Sequence, residues 1–151
     1  LQPCSNPGVM EPDGSIAFKA LNITNAFRDR ERLRKWIRAV ASDHGHSIGE
    51  VTFMLVDDKT MLTYNRRYLE HDEYTDVITF DLQTGTGISG DILISHDRVK
   101  ENARLFGVSA QNELHRVMVH GLLHLMGHGD KKEAQRKAMR AAEDKYLARL
   151  R

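Results

Sequence analysis

Apolar positions along the chain recur with two periods, one of strands and one of helices. Ile16, Phe18 and Ala20 alternate with Ala17, Lys19 and Leu21, a period of two that predicts a first strand from Ser15 to about Ile23. Thr24 or Asn25 then stands where a helix N-cap is wanted. Phe27, Leu33, Trp36, Ile37 and Val40 share one helical face, and Arg28, Arg30, Arg32, Arg34, Lys35 and Arg38 cover the rest. Val51 to Val56 is a nearly continuous apolar run ending in Asp57-Asp58. It reads as a buried strand followed by a helix cap and a short helix through Tyr64 and Arg67.

Thr75 to Phe80 and Gly90 to Ser95 are rich in β-branched and aromatic residues, with Gly85 and Gly87 punctuating the polar stretch between them. This pattern predicts a hairpin. Ser95 caps a helix carrying Val99, Ala103 and Phe106 and stopping at Gly107; Ser109 caps the next, through Leu114, Val117, Met118 and Leu122. Lys131 to Leu150 forms a last amphipathic helix with Ala134, Ala138, Met139, Ala142, Tyr146 and Leu147 inward. Residues 1 to 14 carry Pro3, Pro7 and Pro12 with Gly8 and Gly14, and read as a disordered leader. Residues 15–151, without internal repeat or linker, read as a single domain.

Composition narrows this little. Twenty-two basic and 21 acidic residues give a net charge of +1, which neither requires nor excludes a nucleic-acid partner. The basic stretch from Arg28 to Arg38 is first a solvated helix face and second a candidate for tracking phosphates. The single cysteine, Cys4, forms no internal disulfide and suits a reducing cytoplasm. No run nears the ~18 apolar residues of a membrane span, so no membrane partner is expected.

Chemistry concentrates in His120-Gly121-Leu122-Leu123-His124-Leu125-Met126-Gly127-His128-Gly129-Asp130. Histidines four apart on a helix point the same way and can hold one metal ion. Gly127 and Gly129 let the chain swing round, so that His128 or Asp130 can supply a third ligand. Three protein ligands with one open position mark a catalytic zinc. Spacing alone is equally compatible with core histidines bonded to backbone. Zinc peptidases with this spacing carry a glutamate right after the first histidine as general base. Here that position is Gly121.

Several separated motifs in order carry a resemblance. They are Asn65 with Tyr68, Asp72, Thr75 to Phe80, Gly90-Asp91-Ile92, Glu113-Leu114, and His120 to Gly127. Together they resemble the YbeY family of bacterial metal-dependent endoribonucleases. The resemblance implies an α/β (α+β) zincin-like domain with a small mixed sheet of about four strands surrounded by about five helices. It further implies one zinc ion held by three side chains, with RNA and the ribosome as partners in the cytoplasm. The implied reaction is single-strand-specific cleavage in ribosomal RNA maturation, at the 3′ end of small-subunit 16S rRNA.

Two positions depart from that pattern. The family usually has a third histidine six residues after the second, and here Asp130 stands there. Carboxylate is a competent zinc ligand, so His120, His124 and Asp130 are the expected ligands, with His128 the alternative third. Leu69 replaces an arginine that in most members is thought to face RNA phosphate, leaving Arg66 or Arg67 as substitutes. Glu113, two turns before His120 on the same helix face, is expected to orient a ligand histidine. Asp76 and Asp91 are expected at the sheet rim or in the cleft. Water whose pKa a metal lowers toward ~7 would be the nucleophile. Rival readings are a zinc peptidase-like hydrolase and a non-catalytic ribosome-associated factor with a structural metal.

Overall fold

In a computed structural model that describes residues 14–69, 75–83 and 85–150, the expected mixed sheet forms with helices around it. The elements in order are β1 (Ser15–Ala20), α1 (Arg30–Asp43), β2 (Ile48–Val56), α2 (Asp58–Tyr68), β3 (Val77–Asp81), β4 (Ile88–Ser95), α3 (His96–Phe106), α4 (Ala110–Leu125) and α5 (Glu133–Leu150). The sheet order is β1-β2-β4-β3. The first three of these run parallel, and β3 closes one edge antiparallel to β4 as the predicted hairpin. The expected leader lies outside the described residues except for Gly14.

The register decides which side chains share a face. Phe18 pairs with Phe53 and Phe53 with Ile92, so one row of the sheet is apolar across three strands. With Val51, Leu55 and Ile94 it joins α1, α4 and α5 in the main core. The alternate residues Val56, Ile78 and Leu93 face the other way, against Met61 of α2. Burial on both faces explains why β2 and β4 read as continuous apolar runs. Trp36 ties α1 to α5 by donating its Nε1–H to the Tyr146 carbonyl at 2.8 Å. Among the described residues no helix is long and apolar enough to cross a membrane.

Caps form where short polar side chains stand next to apolar periodicity. Asp57, Ser95 and Ser109 accept hydrogen bonds from the backbone N–H groups of Thr60, Arg98 and Asn112. At the first helix the sequence expectation fails. The strand stops at Ala20 and Asn22 takes a left-handed φ of 58°. Asn25 knits the loop instead of capping a helix, donating to the Phe18 carbonyl and accepting from the Phe27 N–H. Phe27 is buried from this loop, against Phe18 and Phe53, and α1 begins only at Arg30.

The inward residues of α5 also differ from the expectation. Ala134 and Ala138 are exposed, because the first turns of the helix extend beyond the core. Burial begins at Met139 and continues through Glu143, Tyr146, Leu147 and Leu150. Phe106 is 57% exposed rather than inward.

α4 crosses the sheet at very close range. A Cβ on Gly121 would sit 2.7 Å from Ile92 Cγ2 and 3.4 Å from Thr79 Cγ2. Gly121→Ala is therefore expected to overpack this contact and cost about 1–3 kcal/mol. Urea denaturation reads it directly, and an unchanged midpoint would show that the sheet yields freely there.

Candidate metal centre

The close crossing of α4 over the sheet sets the height of His120 and His124 above it. One helical turn apart, their rings stand edge to face with centroids 4.6 Å apart and Nε2 atoms 3.0 Å apart. The helix then ends in a reversal that glycine makes possible. Gly127 adopts φ 94°, its N–H bonds to the His124 carbonyl, and the His128 N–H bonds to that of Leu123. The returning chain brings Asp130 Oδ2 to 3.3 Å from His124 Nε2 and 3.5 Å from His120 Nε2. Arg136 of α5 holds this loop by donating to the Lys131 carbonyl at 2.7 Å.

His128 does not reach the pair. Its ring stands against His44, with centroids 5.0 Å apart. Burial pulls its pKa below the ordinary histidine value, and the neighbouring His44, His124 and His46 add to the effect. Among the described residues, His120, His124 and Asp130 form the one group of three donors close enough for a single ion. Their separations of 3.0, 3.3 and 3.5 Å match the ~3.3 Å edge of a tetrahedron whose corners lie ~2.0–2.1 Å from its centre. Two imidazoles and a carboxylate are also donors that a borderline ion such as zinc accepts.

Behind His120 stands a residue that sequence reasoning missed. Glu143 of α5, only 4% exposed, places Oε2 2.7 Å from His120 Nδ1. A carboxylate can only accept there, so the proton sits on Nδ1 and the lone pair of Nε2 faces His124 and Asp130. Arg116 of α4 holds Glu143 in turn, donating to its Oε1 at 3.0 Å and to Asp144 Oδ1 at 2.7 Å. Burial pulls the His120 pKa down. The hydrogen bond and charge of Glu143, with Asp76 and Asp130, outweigh it and leave the ring above its ordinary value. The available signal was the stripe Met139, Glu143, Tyr146, Leu147, Leu150, in which one acid occupies an inward position.

A cleft of about 390 Å³ opens beside these groups. Glu113 lines it and is buried, but the carboxylate that reaches His120 is Glu143 rather than Glu113. Burial raises the Glu113 pKa, with the Asp76 charge adding and Arg116 opposing. Asp76 also lines the cleft and is raised by burial, against the pull of His120. Asp91 faces the groove on the opposite side of the sheet. Arg66 and Arg67 lie in the last turn of α2, outside the cleft, because α2 packs on that opposite side. Among the described residues, the arginines that line the cleft are Arg116, Arg136 and Arg140.

The sequence profile described as Endoribonuclease YbeY matches residues 18–151. The Endoribonuclease YbeY of Porphyromonas gingivalis W83 is 45% identical over 136 residues, covering 90% of each chain. That of Bacteroides fragilis is 46% identical over 134 residues, covering 89% of this chain and 96% of the relative. The chain belongs to the YbeY endoribonuclease family. A solution structure of a Thermotoga maritima protein shares the fold, with a TM-score of 0.62 at 24% identity and coverage of 89% and 88% of the two chains.

Of the YbeY-family motifs read in the sequence, Asn65 is buried on α2. Gly90 lies where a Cβ would meet the Phe80 carbonyl and the Leu125 side chain, and Asp72 lies outside the described residues. Gly121 has a further meaning here. The position that carries the base in a zinc peptidase points at Ile92 and Thr79 in the sheet, so a side chain there would force the helix or Ile92 to shift and would not reach the cleft.

Proposed function

We propose that this chain is a zinc-dependent, single-strand-specific endoribonuclease of ribosomal RNA maturation, acting at the 3′ end of small-subunit 16S rRNA in the cytoplasm. The observation that carries the metal-dependent part is the triangle of His120, His124 and Asp130, backed by Glu143 on His120 Nδ1. Family membership supports RNA as the substrate. When bound, a zinc ion serves as Lewis acid for phosphate oxygens and lowers the pKa of water toward ~7.

The residues of the chain supply the rest. Glu143 and Arg116 hold His120 in the tautomer that a ligand needs. Asp76 and Glu113 line the cleft, and burial raises the pKa of both carboxyls, the direction that a proton donor to a leaving oxygen needs. Gly121 leaves the peptidase base position empty of any side chain, which disfavours the peptidase reading.

Zinc-loaded protein is expected to cut labelled single-stranded RNA, to leave the matching duplex and a peptide intact, to lose activity to a chelator and to regain it with zinc. Peptide cleavage would establish the peptidase-like reading. Bound zinc and a stable fold without RNA cleavage would establish the non-catalytic ribosome factor. Asp130→Ala is expected to cut zinc content at equal protein concentration well below one ion per chain. Full retention would mean that the loop rearranges to offer His128.

A further inference from the structure

The cleft beside His120 and Asp130 has an uneven wall. Two of its four acids, Glu113 and Glu143, are buried, with Glu143 neutralised by Arg116, while Asp76 and Asp130 are half-buried. Its rim is different. There α5 presents the exposed Arg136 and Arg140, and the end of α3 presents Asn102 and Phe106. Exposed large apolar side chains are informative when they line a cavity rather than lie scattered. Phe106 is 57% exposed while lining the cleft, and the Arg140 guanidinium lies over its ring at 6.0 Å. That separation is at the outer limit of a cation–π contact, so the contact is too weak to account for holding the ring at the rim. The neighbours Leu105 and Val108 are also exposed, but neither lines the cleft.

We infer that Phe106 and Arg140, with Arg136 beside them, form a nucleotide subsite of the cleft: the Phe106 ring stacks an unpaired base and the two arginines meet the flanking phosphate. Aromatic rings and guanidinium planes are the surfaces on which single-stranded RNA stacks its bases. A cleft of about 390 Å³ is within the range that takes a small ligand. In a duplex the faces of each base are already covered by its neighbours, so the subsite favours single strands without reading sequence. The inference rests on the reading of the chain as an RNA-cleaving enzyme and adds to it the physical source of strand selectivity.

The test is stopped-flow anisotropy of zinc-loaded full chain with a fluorescein-labelled single-stranded RNA decamer, recorded before cleavage. Phe106→Ala is expected to weaken binding about tenfold or more, the scale of one lost stacked base. Phe106→Trp is expected to restore it, which a merely structural role for the phenyl ring would not predict. Arg140→Ala is expected to weaken binding and lower the slope of log affinity against log salt by about one. Leu105→Ala is the control, because Leu105 is 64% exposed beside Phe106 yet does not line the cleft. Wild-type affinity in Phe106→Ala, or an equal loss in Leu105→Ala, overturns the subsite and leaves the enzyme reading standing. Wild-type protein that holds zinc yet neither binds nor cuts RNA overturns both.

Discussion

A His124→Ala variant is expected to lose RNA cleavage by on the order of 10³-fold or more and to hold zinc far more weakly, while keeping its fold. His124 Nε2 makes the 3.0 Å edge with His120 and the 3.3 Å edge with Asp130, so its loss leaves two donors where a catalytic zinc site needs three. Among the described residues no other donor joins His120 and Asp130 in its place, and the His128 ring is packed against His44. Without the ion, the pKa of water is not lowered toward ~7, and the nucleophile would be scarce at neutral pH. The side chain is one-quarter exposed, so its removal opens no sealed core cavity. Circular dichroism and a zinc-binding dye then separate loss of metal from loss of fold. Cleavage at the wild-type rate by a variant free of contaminating nuclease would refute the metal-dependent reading.

The second large effect is expected one layer back. Glu143→Gln retains a carbonyl oxygen that can accept from His120 Nδ1 but removes the negative charge. It should weaken zinc binding about 10–100-fold, the usual range for a carboxylate behind a ligand histidine. Glu143→Leu should do the same and also destabilise the fold. It breaks the Arg116–Glu143 pair, whose side chains are only 17% and 6% exposed, and leaves the guanidinium with Asp144 alone, which is 60% exposed. Breaking a buried pair costs about 3 kcal/mol at the low end of its range, appropriate here because one partner remains. Chelator competition measures the first effect and urea denaturation the second. If Glu143→Gln held zinc as tightly as wild type, the 2.7 Å contact would be packing rather than support for the ligand.

Much of the architecture was legible because it is local. Caps at Asp57, Ser95 and Ser109 and the stop at Gly107 follow from residues within a few positions of one another, and the β3–β4 hairpin from two adjacent apolar runs. Where a loop folds back on the core, local reading failed. Asn25 looks like a cap and instead closes a turn between Phe18 and Phe27. The alanines of early α5 fit an apolar stripe, yet nothing lies beneath them.

The site divides in the same way. By itself the sequence determined that two imidazoles share a helix face, that glycine follows the first, and that a reversal must follow the second, because helical periodicity and glycine's left-handed φ are properties of the chain alone. It left His128 and Asp130 open, since both stand in the reversal. Only the tertiary structure sets them apart, packing His128 against His44 at the C-terminal end of α1 and bringing Asp130, in a loop that Arg136 pins, beside both histidines. Glu143 was hidden for the same reason: it is 23 residues from His120, and a contact between two helices depends on how they pack, which no spacing along one of them encodes.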